Sequence, residues 1–277
     1  MWAAQSTYEI LGTRVRVRSQ EPSINRELDR LLGRFQIEGD LPVRPSRTLS
    51  VIGPEPGADS RLRLYRDCRR IPGAGKHVVV MSQLLAEANR IAVEAYRSFA
   101  IHSGVVAKGG RVVAFPAQTG GGKSTLTAAC VLDGFSYVSD EALCVDLETA
   151  EVTPYPKPLG LSSASRDLLS LPPATAPWGK VGESVVNVEE FGGVPAVGSL
   201  TLSDVVMAEY GHSELTLEPV PGSEVMTTLL RMSFNSYKHP ESSFRLTARL
   251  AGEVKGWRLR YDDPLRAAAL LSERLLE

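Results

Sequence analysis

Cysteine is scarce: Cys68, Cys130 and Cys144 are an odd number without a Cys-x-x-Cys spacing, which argues against a disulfide framework and against a thiolate zinc site. Charge of one sign is also lacking. The 31 basic residues nearly balance the 32 acidic ones, and no block of five or six like charges occurs. The densest basic stretch, Arg61 to Arg70, is broken by acidic and apolar residues. A broad electrostatic footprint for nucleic acid or a membrane surface is therefore not expected. No apolar run approaches the roughly 18 residues of a membrane span. The first residues, MWAAQSTYEI, carry neither a basic nor an apolar signal region, so a cytoplasmic location is the expectation.

What is present suits a globular α/β protein. An apolar content of 43% over 277 residues can fill one large domain, or a core with a smaller partner. Tyr8 to Val17 alternates as a strand with Gly12 as a bulge, and Ser23 caps a helix with Ile24, Leu28, Leu31, Leu32 and Phe35 on one face. Short strands are predicted at Thr48 to Ile52, Arg61 to Tyr65 and His77 to Val80, then a helix over Ser82 to Ala100. Residues 1–95 thus read as a small α/β accessory domain, helping to hold an acceptor, and 96–277 as the core. In the core, Ile101 to Ala107 and Val112 to Phe115 flank a Lys-Gly-Gly turn as a hairpin. A helix over Lys123 to Leu132 and a strand over Phe135 to Val138 follow, then a hairpin of Ala142 to Asp146 with Glu151 to Tyr155. Pro156 to Pro177 reads mostly as loop. Trp257 to Tyr261 and Pro264 to Leu276 close the chain as strand and helix.

The chemistry is concentrated in Ala117-Gln118-Thr119-Gly120-Gly121-Gly122-Lys123-Ser124, followed by Thr125. Between a strand and a helix, it matches the P-loop pattern Gly-x-x-x-x-Gly-Lys-Ser/Thr at every defined position but the first, where Ala117 stands. Successive glycines let the backbone approach phosphates and turn N–H groups toward them at a helix N-terminus. Lys123 supplies charge for the β- and γ-phosphates, and the Ser124 hydroxyl is a ligand for Mg²⁺. The expected ligand is a purine nucleoside triphosphate with Mg²⁺, the choice of ATP or GTP staying open. Asp140 lies 17 positions after Lys123, at the end of the next strand, where a carboxylate can face a γ-phosphate. There is no LSGGQ-like or NKxD segment. The bland reading of Asp140 and Glu141 is a solvated turn. His102 stands evenly between a structural and a catalytic part. Lys157, between Pro156 and Pro158, is weighed as an exposed loop lysine more often than a phosphate ligand, and Lys180 ranks lower. Trp178 is a residue that could line an acceptor pocket. His212 and His239 lack metal spacing, and Cys130 and Cys144 read as core residues.

The order of Ile101-His102-Ser103-Gly104-Val105-Val106, the Gly-Gly-Gly-Lys-Ser-Thr loop and Gly134 to Glu141 resembles HPr kinase/phosphorylase. It resembles still more the HPr-kinase-like proteins of bacterial gene clusters, some of which modify ribosomal peptides such as lasso peptides. These share a segment like Pro154-Tyr155-Pro156-Lys157-Pro158-Leu159 and a closing strand and helix. The resemblance covers residues 101 to 161 and elsewhere is one of layout. It implies an α/β core like that of ATP-dependent phosphoenolpyruvate carboxykinase, with Asp140 as general base. It implies Glu141 as Mg²⁺ ligand or orienting group, and His102 at the γ-phosphate or the acceptor. None of Arg231, Lys238, Arg245 and Arg249 sits in the family's arginine-bearing signature pattern. The function so implied is an Mg·ATP-dependent kinase acting on a hydroxyl of a peptide, protein or small molecule, in a natural-product pathway on the nearest resemblance. A nucleotide-binding partner without transfer and a simple nucleotidase stand as alternatives, and a homo-oligomer stays open. The expected site set is Asp140, Glu141, His102 and Lys123, with Thr119 to Thr125 on the nucleotide and Ser124 and Glu141 on the metal.

Overall fold

The computed structural model describes residues 1–37, 45–53, 61–73, 75–118, 120–172 and 183–276. The chain divides into two compact units: Met1–Tyr96 with Ala174–Val185, and Arg97–Pro173 with Val186–Glu277.

Among its described residues the first unit has a five-stranded sheet and two α-helices. Strands β1 (Ala4–Ile10) and β2 (Thr13–Ser19) form a hairpin. Its turn is Leu11-Gly12, both with positive φ, at 50° and 72°, as a two-residue hairpin loop requires. The expected single strand with a bulge at Gly12 is thus two strands. Helix α1 (Pro22–Leu32) starts with proline at its first position, one residue before the expected cap, and buries Ile24, Leu28, Leu31 and Leu32. Strands β3 (Arg47–Ile52), β4 (Arg63–Arg66) and β5 (Arg69–Ile71) complete the sheet in chain order. Helix α2 (His77–Ala95) takes in the His77 to Val80 run expected as a strand. A four-residue apolar run fits either state. Here Val80 and Met81 share the buried face with Leu84, Ala88 and Ile91, while Val78 and Val79 face out. The helix stops at Ala95, short of the expected Ala100.

The second unit is built on an eight-stranded sheet. Strands β6 (Phe99–Lys108) and β7 (Arg111–Pro116) are the expected hairpin. Helix α3 (Lys123–Leu132) follows the glycine-rich loop, then β8 (Ser136–Ser139), β9 (Ala142–Val145) and β10 (Glu151–Thr153). Inside the stretch expected as loop lie β11 (Leu159–Ser162) and helix α4 (Ser163–Leu168), started by Ser162, whose hydroxyl accepts from the Ser165 N–H. Strand β12 (Glu183–Val186) lies where the chain returns from the first unit. Then come β13 (Leu200–Tyr210), β14 (Thr216–Val220), α5 (Gly222–Arg231), α6 (Pro240–Glu253), β15 (Lys255–Tyr261) and α7 (Pro264–Leu276).

The sheet order is β10-β9-β6-β7-β13-β15-β14, and β10 also pairs with β13, so five strands close on themselves. Strand β7 is buried on both faces. Val113 and Phe115 point into a core with Leu126, Ala129, Ala268 and Leu271 from α3 and α7, while Val112 and Ala114 point into one with Val225, Leu229, Leu246 and Leu250 from α5 and α6. Such two-sided burial explains why the strand reads as a continuous apolar run. On the other edge of β6, β9 pairs along residues 99–102 and β8 along 105–107. Asp140 and Glu141 fall in the break between them. Strands β7 and β8 both run antiparallel to β6, so both end on the same side of the sheet, where β6 carries His102. Among the described residues, no helix is long and apolar enough to cross a membrane.

Candidate functional site

The site begins where β7 ends. Gly120 and Gly122 have φ of 85° and 76°, a region closed to most side chains, and among the described residues no side chain caps the N-terminus of α3. A Cβ on Gly121 would meet the Ala117 Cβ and the Gln118 carbonyl oxygen, each at 3.2 Å. Ala117 is not among the positive-φ residues, so the one departure from the motif falls where glycine's freedom is not needed. Lys123 is buried, and its Nζ donates to the carbonyls of Ala117 and Gln118 at 2.8 Å each. Strand β6 approaches α3 so closely that a Cβ on Gly104 would lie 2.4 Å from Thr127 Oγ1.

Asp140, only 5% exposed, is the hub. Its Oδ1 accepts from Lys157 Nζ at 2.6 Å and from the Tyr137 hydroxyl at 2.8 Å. Its Oδ2 accepts from the Ser124 hydroxyl at 2.9 Å and, at a longer 3.5 Å, from the Gly160 N–H. A carboxylate offers about four lone-pair sites, so this one is saturated. Burial alone would raise the Asp140 pKa. The Lys157 charge and the hydrogen bonds from Lys157, Tyr137 and Ser124 outweigh it and hold the carboxyl below its usual range. Burial and the Asp140 charge drive the Tyr137 hydroxyl the other way, well above its ordinary value. That hydroxyl shares its proton between Asp140 and the Lys157 carbonyl, the latter at 3.0 Å.

Glu141 follows on a turn in which Ser139 Oγ accepts from the N–H groups of Glu141 and Ala142. Its side chain is 29% exposed, with Lys157 Nζ 3.9 Å away. The backbone of Ser103 donates to the Glu141 carbonyl across the break in the sheet. The His102 ring is half-buried and tilted against the Phe234 ring at 5.1 Å, and the backbone N–H of His102 donates to the Met232 carbonyl. Thr125 joins a hydroxyl chain, Thr125 to Ser165 to Ser162, each step 2.8 Å.

Lys123, Ser124 and Asp140 are therefore brought together, with Glu141 at the rim and His102 on the adjoining strand. Thr119, Trp178 and Lys180 lie outside the described residues. Two members of the cluster were not in the expected set. Lys157, weighed as a solvated loop lysine, has a side chain 15% exposed and ion-paired to Asp140. Tyr137 gave no signal, because a tyrosine in an apolar strand reads as core. Asp140 is likewise no solvated turn residue, whereas Glu141 is partly exposed on its turn. Of the C-terminal basic residues, Arg245 and Arg249 form surface pairs with Glu241 and Glu253 one helical turn away. Burial pushes the Cys144 thiol up to about 12 and raises that of Cys130, as expected of inert core thiols. Among the described residues, no group of three or more His, Cys, Asp or Glu is placed to hold a metal by itself.

No family model matches the chain, and none of the curated proteins does. Among solved structures, the chain is similar to the Hpr(Ser) kinase/phosphatase from Coxiella burnetii, at 12% identity and a TM-score of 0.32, over 64% of this chain and 96% of that one.

Proposed function

We propose that this protein is an Mg·ATP-dependent kinase that transfers the γ-phosphoryl group to a hydroxyl of a peptide, protein or small molecule. The observation that carries the reading is the contact between Ser124, directly after the loop lysine, and the buried carboxylate of Asp140 at 2.9 Å. Phosphoryl transfer needs this combination of a hydroxyl and an acid beside a phosphate cradle. The cradle consists of Gly120 to Gly122 at the start of α3, an anion-binding arrangement of N–H groups and helix dipole. Lys123 is folded onto two carbonyls and would exchange them for phosphate oxygens.

The donor set suits Mg²⁺. The Ser124 hydroxyl and the Glu141 carboxylate are hard oxygens, too few for a site of their own and fitted to a cation shared with phosphates, with the Asp140 charge behind Ser124. Bound there, Mg²⁺ would neutralise charge on the transferring group. The geometry favours an exchange of the parts that the family resemblance assigns. Asp140 is ionised with every lone-pair site engaged, so it orients Ser124 and carries charge. It can take a proton only after one of its donors leaves. Glu141, partly exposed and on the same turn, is the proton acceptor for the acceptor hydroxyl in this reading.

The test is to incubate the protein with Mg²⁺ and γ-labelled ATP, together with peptides and products of neighbouring genes. Label on an acceptor hydroxyl supports the kinase. Inorganic phosphate alone supports a nucleotidase, and binding with neither supports a nucleotide-binding partner.

A further inference from the structure

The first unit carries a charged surface of its own. Strand pairing sets Gln5, Thr7 and Glu9 of β1 opposite Arg18, Arg16 and Arg14 of β2, and Thr48 and Ser50 of β3 beside Arg16 and Arg18. Ser50 and Ile52 then face Tyr65 and Arg63 of β4, and Tyr65 faces Arg70 of β5. Partners in a ladder share a face, so Arg14, Arg16, Arg18, Arg63 and Arg70 stand together, with Glu9 as the one acid among these positions. The opposite face holds Tyr8, Val15, Val17, Leu49, Val51 and Leu64, all buried. Both helices engage that opposite face. Asp29 of α1 accepts from Ser6 and Tyr8, and Glu87 of α2 pairs with Arg66.

The arginines are only partly neutralised. Arg14 pairs with Glu9 at 2.8 Å. Arg18 donates to Ser50 and lies over the Trp2 ring at 4.3 Å. Among the described residues, Arg16 and Arg70 have no acidic partner, and the buried Nε of Arg16 has no hydrogen-bond acceptor. Residues 1–96 hold 15 basic and 11 acidic residues, a net +4, whereas the whole chain is −1.

We propose that this arginine face docks an acidic, extended peptide segment. Arg14, Arg16 and Arg18 recur every second residue, roughly 7 Å apart along the strand, the repeat of alternate side chains in an extended peptide. Carboxylates at alternate positions of such a peptide meet guanidinium groups that can grip them in bidentate fashion. Single-stranded nucleic acid fits less well, because it stacks successive bases on several free aromatic faces, whereas here the Trp2 ring already lies under Arg18 and Tyr65 is the one other aromatic residue among these positions. On the kinase reading the segment belongs to the acceptor, but the docking does not depend on that reading.

Fluorescence anisotropy with a labelled peptide of alternating Glu and Ser, titrated with the full chain, tests the proposal. We expect binding at low salt that weakens as salt screens the charges. It should weaken by roughly tenfold or more in R16E/R70E and be largely kept in R16K/R70K. The exposed R70E alone gives a smaller loss in a protein whose melting temperature is unchanged, which separates charge from folding. Binding that persists in K123A keeps docking distinct from nucleotide binding. Absence of binding at low salt overturns the proposal, as does equal binding by wild type and R70E. A U-rich oligonucleotide bound more tightly than the peptide overturns it in favour of nucleic acid.

Discussion

Replacing Lys157 by Met removes the charge at Asp140 while keeping an unbranched apolar stem. Asp140 then stays buried, with a side chain 3% exposed, and loses its shortest hydrogen bond, at 2.6 Å. Two unit charges at that distance attract by about 6 kcal/mol in a medium of effective dielectric near 20. Removing one partner of a buried pair costs about 3–5 kcal/mol, because the other charge is left behind. Tyr137 and Ser124 still donate to the carboxylate, which places the loss at the low end, about 3 kcal/mol. For a folded unit of this size that lowers Tm by roughly 6–12 °C. The assay is thermal unfolding of wild type, K157M, D140N and K157M/D140N without nucleotide. The double variant should recover most of the loss, since an amide needs no counter-charge. A drop of less than about 2 °C in K157M, or a double variant no better than the single, would refute the reasoning.

The same carboxylate sets a pH dependence. The Asp140 pKa is lower folded than unfolded, so its contribution is fully present above the unfolded value near 3.9 and is lost as pH falls through the folded one. The Tm gap between wild type and D140N should therefore narrow as pH drops below about 4, and a constant gap contradicts this. With an acceptor in hand, E141Q should slow transfer by about 10²–10⁴-fold with Mg·ATP affinity little changed. Equal rates for E141Q and wild type return the base to Asp140. G104A should destabilise by about 1–3 kcal/mol, because its Cβ meets Thr127, and an unchanged unfolding midpoint would show that β6 and α3 separate freely.

The glycine-rich loop and its flanking strand and helix were legible because local pattern and burial agree there. Strand β7 is apolar on both sides, and α3 starts where the motif ends. Other elements needed partners that the sequence does not display. His77 to Val80 carries three β-branched valines but belongs to a helix, because only the full 19 residues bring Val80 into register with Leu84 and Ile91. Strand β11 and helix α4 were hidden among prolines and serines, although Ser162 acts as the cap. Lys157 between two prolines reads as solvated, and only the return of the chain past β8 places it on Asp140. The arginine face is the same lesson at larger scale. Arg14 to Arg18 and Arg63 to Arg70 are dilute along the chain and meet only through β3.

On the proposed function, Mg·ATP binds on the loop between β7 and α3, with Ser124 and Asp140 on the cation side. Calorimetric titration of ATP, with and without Mg²⁺, into wild type, K123A and S124A tests it most directly. Mg²⁺-enhanced binding is expected in wild type, with loss of binding in K123A and loss of the Mg²⁺ enhancement in S124A. Unchanged binding in folded K123A would place the nucleotide elsewhere and contradict the account.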